Sequence, residues 1–154
     1  MSDLRFVTLD HFAADAWMTL LNQDRVRAHL MAHPRFDPVS VQQWLQAKIR
    51  LDAQSGCRVR AVMLDDRLAG WCGVQAEGDH YELAAVIDPA CWGIGRTVLR
   101  QLLVWAGDVG HREVALHLLQ TRRRYRYLER LAQRVEVNHL LGDDFTTYWL
   151  APLQ

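Results

Sequence analysis

The chain has 154 residues, with 18 basic side chains against 18 acidic ones and a formal net charge of zero. Hydrophobic residues make up 50% and charged residues 23%, which excludes bulk disorder and suits one domain over residues 1–154. No apolar run approaches the roughly 18 residues of a membrane span, and Met1-Ser2-Asp3-Leu4-Arg5-Phe6 carries no secretory pattern, so neither membrane nor export is expected. Zero net charge disfavours general nucleic-acid affinity. Cys57, Cys72 and Cys91 are odd in number, lack metal-ligand spacing and read as buried thiols of a reducing cytoplasm.

In chain order, residues 5–8 read as a strand. Residues 10–22 read as a helix with Phe12, Ala16, Leu20 and Leu21 on one stripe, and residues 24–31 as a second helical piece. The prolines at 34 and 38 stop it. Ser40 is the expected cap of a helix to about residue 55, ended by Gly56. Three strands follow over residues 58–64, 68–76 and 80–88, separated by Asp65-Asp66 and Glu77-Gly78-Asp79 turns. Residues 97–108 form an amphipathic helix, 113–119 a strand, and 121–133 an arginine-rich helix. Residues 135–141 and 145–150 flank Gly142-Asp143-Asp144 as a closing hairpin. The order β-α-α-β-β-β-α-β-α-β-β predicts a mixed α/β sheet with helices on both faces.

The most informative stretch runs from Val86-Ile87-Asp88-Pro89 through Trp92-Gly93-Ile94-Gly95-Arg96-Thr97. A strand ends, a G-x-G turn follows and a helix begins. Amides at a helix start are unpaired and carry the positive end of the dipole, and glycines let a phosphate approach them. Geometry alone is the competing reason for glycine here.

At these residues the chain resembles the GNAT acyltransferase superfamily. Glu82-Leu83-Ala84-Ala85-Val86-Ile87-Asp88-Pro89 followed by Trp92-Gly93-Ile94-Gly95 is similar to the E-L-G-x-x-I-D-P-x-x-W-G-x-G of the ribosomal-protein alanine acetyltransferase branch. The resemblance implies a single GNAT-like acyl-CoA N-acyltransferase domain over residues 1–154, acetyl-CoA as co-substrate, and a small-molecule or peptide amine as acceptor. A homodimer is compatible with it. It assigns Val86, Ile87, Trp92, Gly93, Ile94, Gly95, Arg96, Thr97 and Arg122 to the coenzyme. The turn is about two residues shorter than in that branch, and the superfamily's Gln/Arg-x-x-Gly-x-Gly/Ala fits it in two registers. One uses Ala90, Gly93 and Gly95; the other uses Trp92, Gly95 and Thr97.

Amide formation from a thioester needs a base for the ammonium proton and an acid for the leaving thiolate. The resemblance makes Glu82 the base, against a solvated or paired strand carboxylate. It makes Tyr127 the candidate acid, against an ordinary half-buried aromatic. Tyr127 stands one position early relative to the family's Y-E-K-L-G-F, with Leu128 in the tyrosine's place. One residue is about 100° on a helix. The run Arg122, Arg123, Arg124 and Arg126 reads as a solvated face, a phosphate contact or, last, a nucleic-acid contact. His80, His111, His117 and His139 show no ligand spacing, so His117 reads as an ordinary strand residue and no metal is expected. The rival to an N-acetyltransferase is a non-catalytic acyl-CoA-binding or protein-interaction member of the same fold.

Overall fold

The computed structural model describes residues 3–27, 34–91, 93–119, 125–140 and 143–153. Strands β1 (Leu4–Val7), β2 (Arg58–Leu64), β3 (Arg67–Glu77), β4 (His80–Ile87), β5 (Val114–Leu119), β6 (Ala132–Leu140) and β7 (Asp143–Leu150) form one sheet in the order β1-β2-β3-β4-β5-β7-β6. Every neighbouring pair is antiparallel except β4 and β5. The tight turn between β2 and β3 holds Asp65 at φ 51° and Asp66 at φ 66°, the left-handed pair a two-residue hairpin needs.

Among the described residues, five α-helices cover the sheet: α1 (Ala14–Leu21), α2 (Asp24–Arg27), α3 (Pro38–Asp52), α4 (Gly95–Asp108) and α5 (Arg126–Leu131). Strand alternation separates two cores. Trp17, Leu20, Leu21, Val41 and Leu45 of α1 and α3 pack on Val59, Ala61, Trp71 and Val86. On the other face Val98, Leu99, Leu102 and Leu103 of α4 and Leu128 of α5 pack on Cys72, Val74, Leu83 and Tyr148. Each fully buried leucine in these cores is worth about 1.5–3 kcal/mol. The mixed sheet with helices on both faces is the predicted architecture.

Several boundaries differ from the sequence reading. The helix expected over 10–22 is a one-turn 3-10 helix at Leu9–His11 followed by α1, because Phe12 and Ala13 are extended. The piece expected over 24–31 is α2, with residues 28–31 outside those described. Asp37, not Ser40, caps α3. Its Oδ1 accepts from the Ser40 amide at 2.7 Å, while Ser40 Oγ accepts from the Asp37 amide at 2.8 Å, and Pro38 fills the first turn. The helix expected to reach residue 133 ends at Leu131, because Ala132 already pairs with Leu150 in the β6–β7 ladder.

Candidate functional site

Period-two alternation puts Trp71, Gly73, Gln75 and Glu77 of β3 on one face, opposite Val86, Ala84, Glu82 and His80 of β4. The parallel strand β5 sets Ala115 beside Glu82, so His117, two residues on, shares that face, and β7 places Thr147 opposite His117. From above, α3 brings in Lys48, whose Nζ donates to Gln75 Oε1 at 2.9 Å and lies 4.3 Å from the Trp71 ring centroid. Polar groups from three other elements, β3, β5 and α3, therefore converge on Glu82.

Glu82 Oε1 accepts from Gln75 Nε2 at 2.7 Å, and its Oε2 lies 3.7 Å from His117 Nε2. Glu77 Oε2 meets two imidazoles, His117 Nε2 at 2.8 Å and His80 Nε2 at 3.2 Å. Behind His117, Nδ1 meets the Thr147 hydroxyl at 2.7 Å, and that hydroxyl accepts from Asn138 Nδ2 at 2.9 Å. Thr147 is fully buried. Burial, followed by a hydrogen bond to Glu77 and the Glu77 charge, pushes the Glu82 carboxyl up to about 7. The Gln75 hydrogen bond and the Lys48 charge oppose the rise. Burial works in the same direction on Glu77, but the hydrogen bond with Glu82 and the two histidines outweigh it and hold that carboxyl below its ordinary value. Burial lowers Lys48, and the Glu82 charge opposes this. Two carboxyls in contact thus titrate apart, one of them near neutrality. Glu77, His80 and His117 also bring one ligand-type atom each within 4.8 Å of one another, and these are the atoms that make the hydrogen bonds above.

The second feature is an opening. β4 and β5 pair only at Glu82↔Ala115 and Leu83↔Leu116, then run on to Ile87 and Leu119 without further pairing. Parting strands leave main-chain donors and acceptors of β4 without ladder partners on that side. At the end of β4, Asp88 Oδ1 accepts from the Ala90 amide at 2.9 Å and shapes the turn into α4. Ile94 stands at the N-terminus of α4 with no side-chain cap, so the amides of the first turn have no acceptor within the helix. Gly93 adopts φ +96°, and a Cβ built on Gly93 or Gly95 meets nothing within 4 Å. Gly93, Gly95, Arg96 and Thr97 are all exposed. This surface is open to an anion.

The sequence-predicted residues therefore fall into separate places. Glu82 lies in the polar cluster. Gly93, Ile94, Gly95, Arg96 and Thr97 form the turn and first helical residues. Val86 is buried in the α1–α3 core and Ile87 packs on the opposite one. Trp92 and Arg122 lie outside the described residues. Tyr127 is not brought to Glu82. Its ring packs on the α4-side core and carries the Arg96 guanidinium 4.5 Å from its centroid, while Glu82, next to Leu83 of that core, points to the other face. His117 lies in the same polar cluster as Glu82, together with Gln75, Glu77, His80 and Lys48, a grouping that chain spacing did not reveal. Hairpin register was the available signal for three of them. The Glu77-Gly78-Asp79 turn sets Glu77 against His80 and Gln75 against Glu82.

No protein-family model and no curated protein matches the sequence. Solved structures do. The spermidine N-acetyltransferase from Vibrio cholerae, in complex with CoA and spermine, matches with a TM-score of 0.72 at 14% identity, over 98% of this chain and 95% of that one. The ribosomal L7/L12 α-N-protein acetyltransferase in complex with coenzyme A matches with a TM-score of 0.72 at 15% identity, over 98% and 94%. A probable GNAT-family acetyltransferase from Chromobacterium violaceum matches with a TM-score of 0.67 at 19% identity, over 97% and 87%. The likeness runs through the whole sheet, including both strands that part beyond Glu82, and it establishes that this chain has the GNAT acetyltransferase fold.

Proposed function

We propose that this chain is an N-acetyltransferase that moves the acetyl group of acetyl-CoA to a primary amine, carried by a small molecule or a protein N-terminus. The observation that carries the reading is the place of Glu82. It is a half-buried, hydrogen-bonded carboxyl poised near neutrality, at the point where β4 and β5 separate. An acceptor amine arrives mostly as ammonium and cannot attack until it loses a proton. Glu82 takes that proton. The amine nitrogen then bonds to the thioester carbonyl carbon and gives up its second proton to solvent as the C–S bond breaks, and the departing thiolate takes a proton from solvent. Gln75, itself held by Lys48, keeps the carboxylate in place.

The open first turn of α4 fits a pyrophosphate: unpaired amides, the positive end of a helix dipole, and two glycines with free space above them. Arg96 beside it supplies a cation, and the unpaired edge of β4 at Val86 and Ile87 supplies main-chain partners for the amides of the pantetheine arm. The CoA complexes among the structural neighbours support this use of the fold.

One observation favours the non-catalytic alternative. Tyr127 is committed to Arg96 on the far face, and α5 has only six residues. Transfer from labelled acetyl-CoA to a panel containing a polyamine, a monoamine and an N-terminal peptide separates the two readings. Label on an amine with wild type, lost in Glu82→Gln, is the expected result. Coenzyme binding without transfer to any amine would overturn the enzyme reading.

A further inference from the structure

Along the chain His80 and His117 are far apart, yet the sheet register brings both to one carboxylate. Glu77 pairs with His80 across the β3–β4 hairpin, and His117 comes in from β5. Glu77 Oε2 lies 2.8 Å from His117 Nε2 and 3.2 Å from His80 Nε2, and all three atoms fall within 4.8 Å of one another. Tetrahedral ligands of a zinc-sized ion stand about 3.3 Å apart, so both oxygen–nitrogen spacings are within about half an ångström of that value. The hydrogens point the same way. Glu77 and Asp79 are carboxylates, which only accept. His80 Nδ1 lies 3.1 Å from Asp79 Oδ1, while its Nε2 faces Glu77 Oε2. A neutral imidazole has one N–H, so one of these contacts sets a lone pair against a carboxylate. His117 Nδ1 meets Thr147 Oγ1 at 2.7 Å, and that hydroxyl, which accepts from Asn138 Nδ2, has a second lone pair for a ring N–H. With both Nδ1 atoms donating outward, three lone pairs are aimed at one point, which calls for a cation.

We propose that Glu77 Oε2, His80 Nε2 and His117 Nε2 hold a divalent transition-metal ion of the Zn2+ kind, as three protein ligands with a fourth position open. Two imidazole nitrogens and one carboxylate oxygen suit such an ion, whereas Mg2+ and Ca2+ take oxygen ligands. The site is sheltered yet reachable, with the Glu77, His80 and His117 side chains 33%, 30% and 12% exposed. A carboxylate on the outer nitrogen, as Asp79 provides for His80, is a usual partner of a metal-binding imidazole. The His80 ring also packs on Trp149, with centroids 5.2 Å apart, which limits its rotation. The three ligands come from three adjacent strands, and β4 and β5 pair at only two positions, so the ion ties the parallel pair together where its ladder is short. Glu82 Oε2, 3.7 Å from His117 Nε2, borders the site. Metal binding here stands or falls separately from acetyl transfer.

The test is calorimetric titration of the chelator-washed full chain with Zn2+, beside Glu77→Gln, His80→Ala, His117→Ala, Asp79→Asn and His139→Ala, each checked for folding by circular dichroism. Wild type should bind one Zn2+ per chain with micromolar or tighter affinity, and excess Mg2+ should not displace it. Loss of any one ligand should weaken binding about a hundredfold or more, since even the partners of ligands are worth roughly 10–100-fold. Asp79→Asn should cost about tenfold, the low end of that range. His139 is exposed and paired with Asp144, so His139→Ala should leave the affinity unchanged. Zn2+ should raise the melting temperature of wild type and not of His80→Ala, because only the folded chain assembles the site. His80 lies on the solvent side, so His80→Ala keeps the test decisive where His117→Ala fails to fold. Absence of saturable Zn2+ binding overturns the proposal and leaves a proton as the cation between His80 and Glu77. Unchanged affinity in folded His80→Ala and Glu77→Gln, or an equal loss in His139→Ala, overturns it as well.

Discussion

The polar face around Glu82 and the open turn at the start of α4 use opposite physics. Around Glu82 the work is done by side chains from β3, β4, β5 and α3, and each is held by a hydrogen bond to another. At the α4 turn the available donors are main-chain amides, and the side chains matter by being small or absent. Substitutions should therefore separate cleanly. Changes on the polar face should alter turnover and its pH dependence, and changes at the turn should alter coenzyme affinity.

The largest expected effect is Glu82→Gln, which keeps the shape and the Gln75 contact but removes the base. Turnover should fall by on the order of 10²-fold or more while calorimetric coenzyme affinity holds. The wild-type rate should climb with pH through about 7, since Glu82 works only when deprotonated and its carboxyl is pushed up to about 7. A flat profile from pH 5 to 8 would remove Glu82 from the chemistry.

Next is Gly95→Val. The position has ordinary helical geometry and free space, and valine is a better helix former than glycine, so the fold should hold. Acetyl-CoA affinity should weaken by roughly tenfold or more, the worth of one charge-assisted hydrogen bond. Gly93→Val should show a similar loss mixed with backbone strain, because Gly93 lies at φ +96°. Equal affinity in folded Gly95→Val would break the contrast between the two regions.

Tyr127→Phe should do less than either. It keeps the ring under Arg96 and removes only a hydroxyl on the face away from Glu82. Turnover should change by less than about tenfold, below the usual reach of general acid catalysis. A thousandfold drop with intact affinity would show the hydroxyl reaching the thioester through the gap between β4 and β5.

The smallest effect concerns stability. The folded-state pKa of Glu82 lies above its unfolded value, so the folded protein holds the extra proton between about 4.5 and about 7. That contribution is present at low pH and is lost as pH rises through about 7. Thermal melts of Glu82→Gln should therefore gain on wild type between pH 5 and pH 8. A constant difference across that range would mean that Glu82 does not titrate with folding.

Much of this was legible in the residues. The three middle strands and the α4 stripe follow from local alternation and from turn chemistry at Asp65-Asp66 and Glu77-Gly78-Asp79. The arginine-rich helix was overestimated, because local helix preference at Ala132 and Gln133 gives way to pairing with β7. The family resemblance makes Tyr127 the candidate acid, yet the side of the sheet it occupies depends on how α5 packs.

Sequence alone thus determined what is local: the element types, the glycine turn ahead of a helix, and Glu82 as the carboxylate on the strand that leads into it. Tertiary structure alone decided what Glu82 can do. Its partners Lys48, Gln75, Glu77 and His117 come from α3, β3 and β5, and the register of three strands brings them within hydrogen-bond reach. A carboxyl's affinity for its proton depends on burial and on nearby charge, and both are properties of the folded surroundings, which the chain order of the residues does not contain.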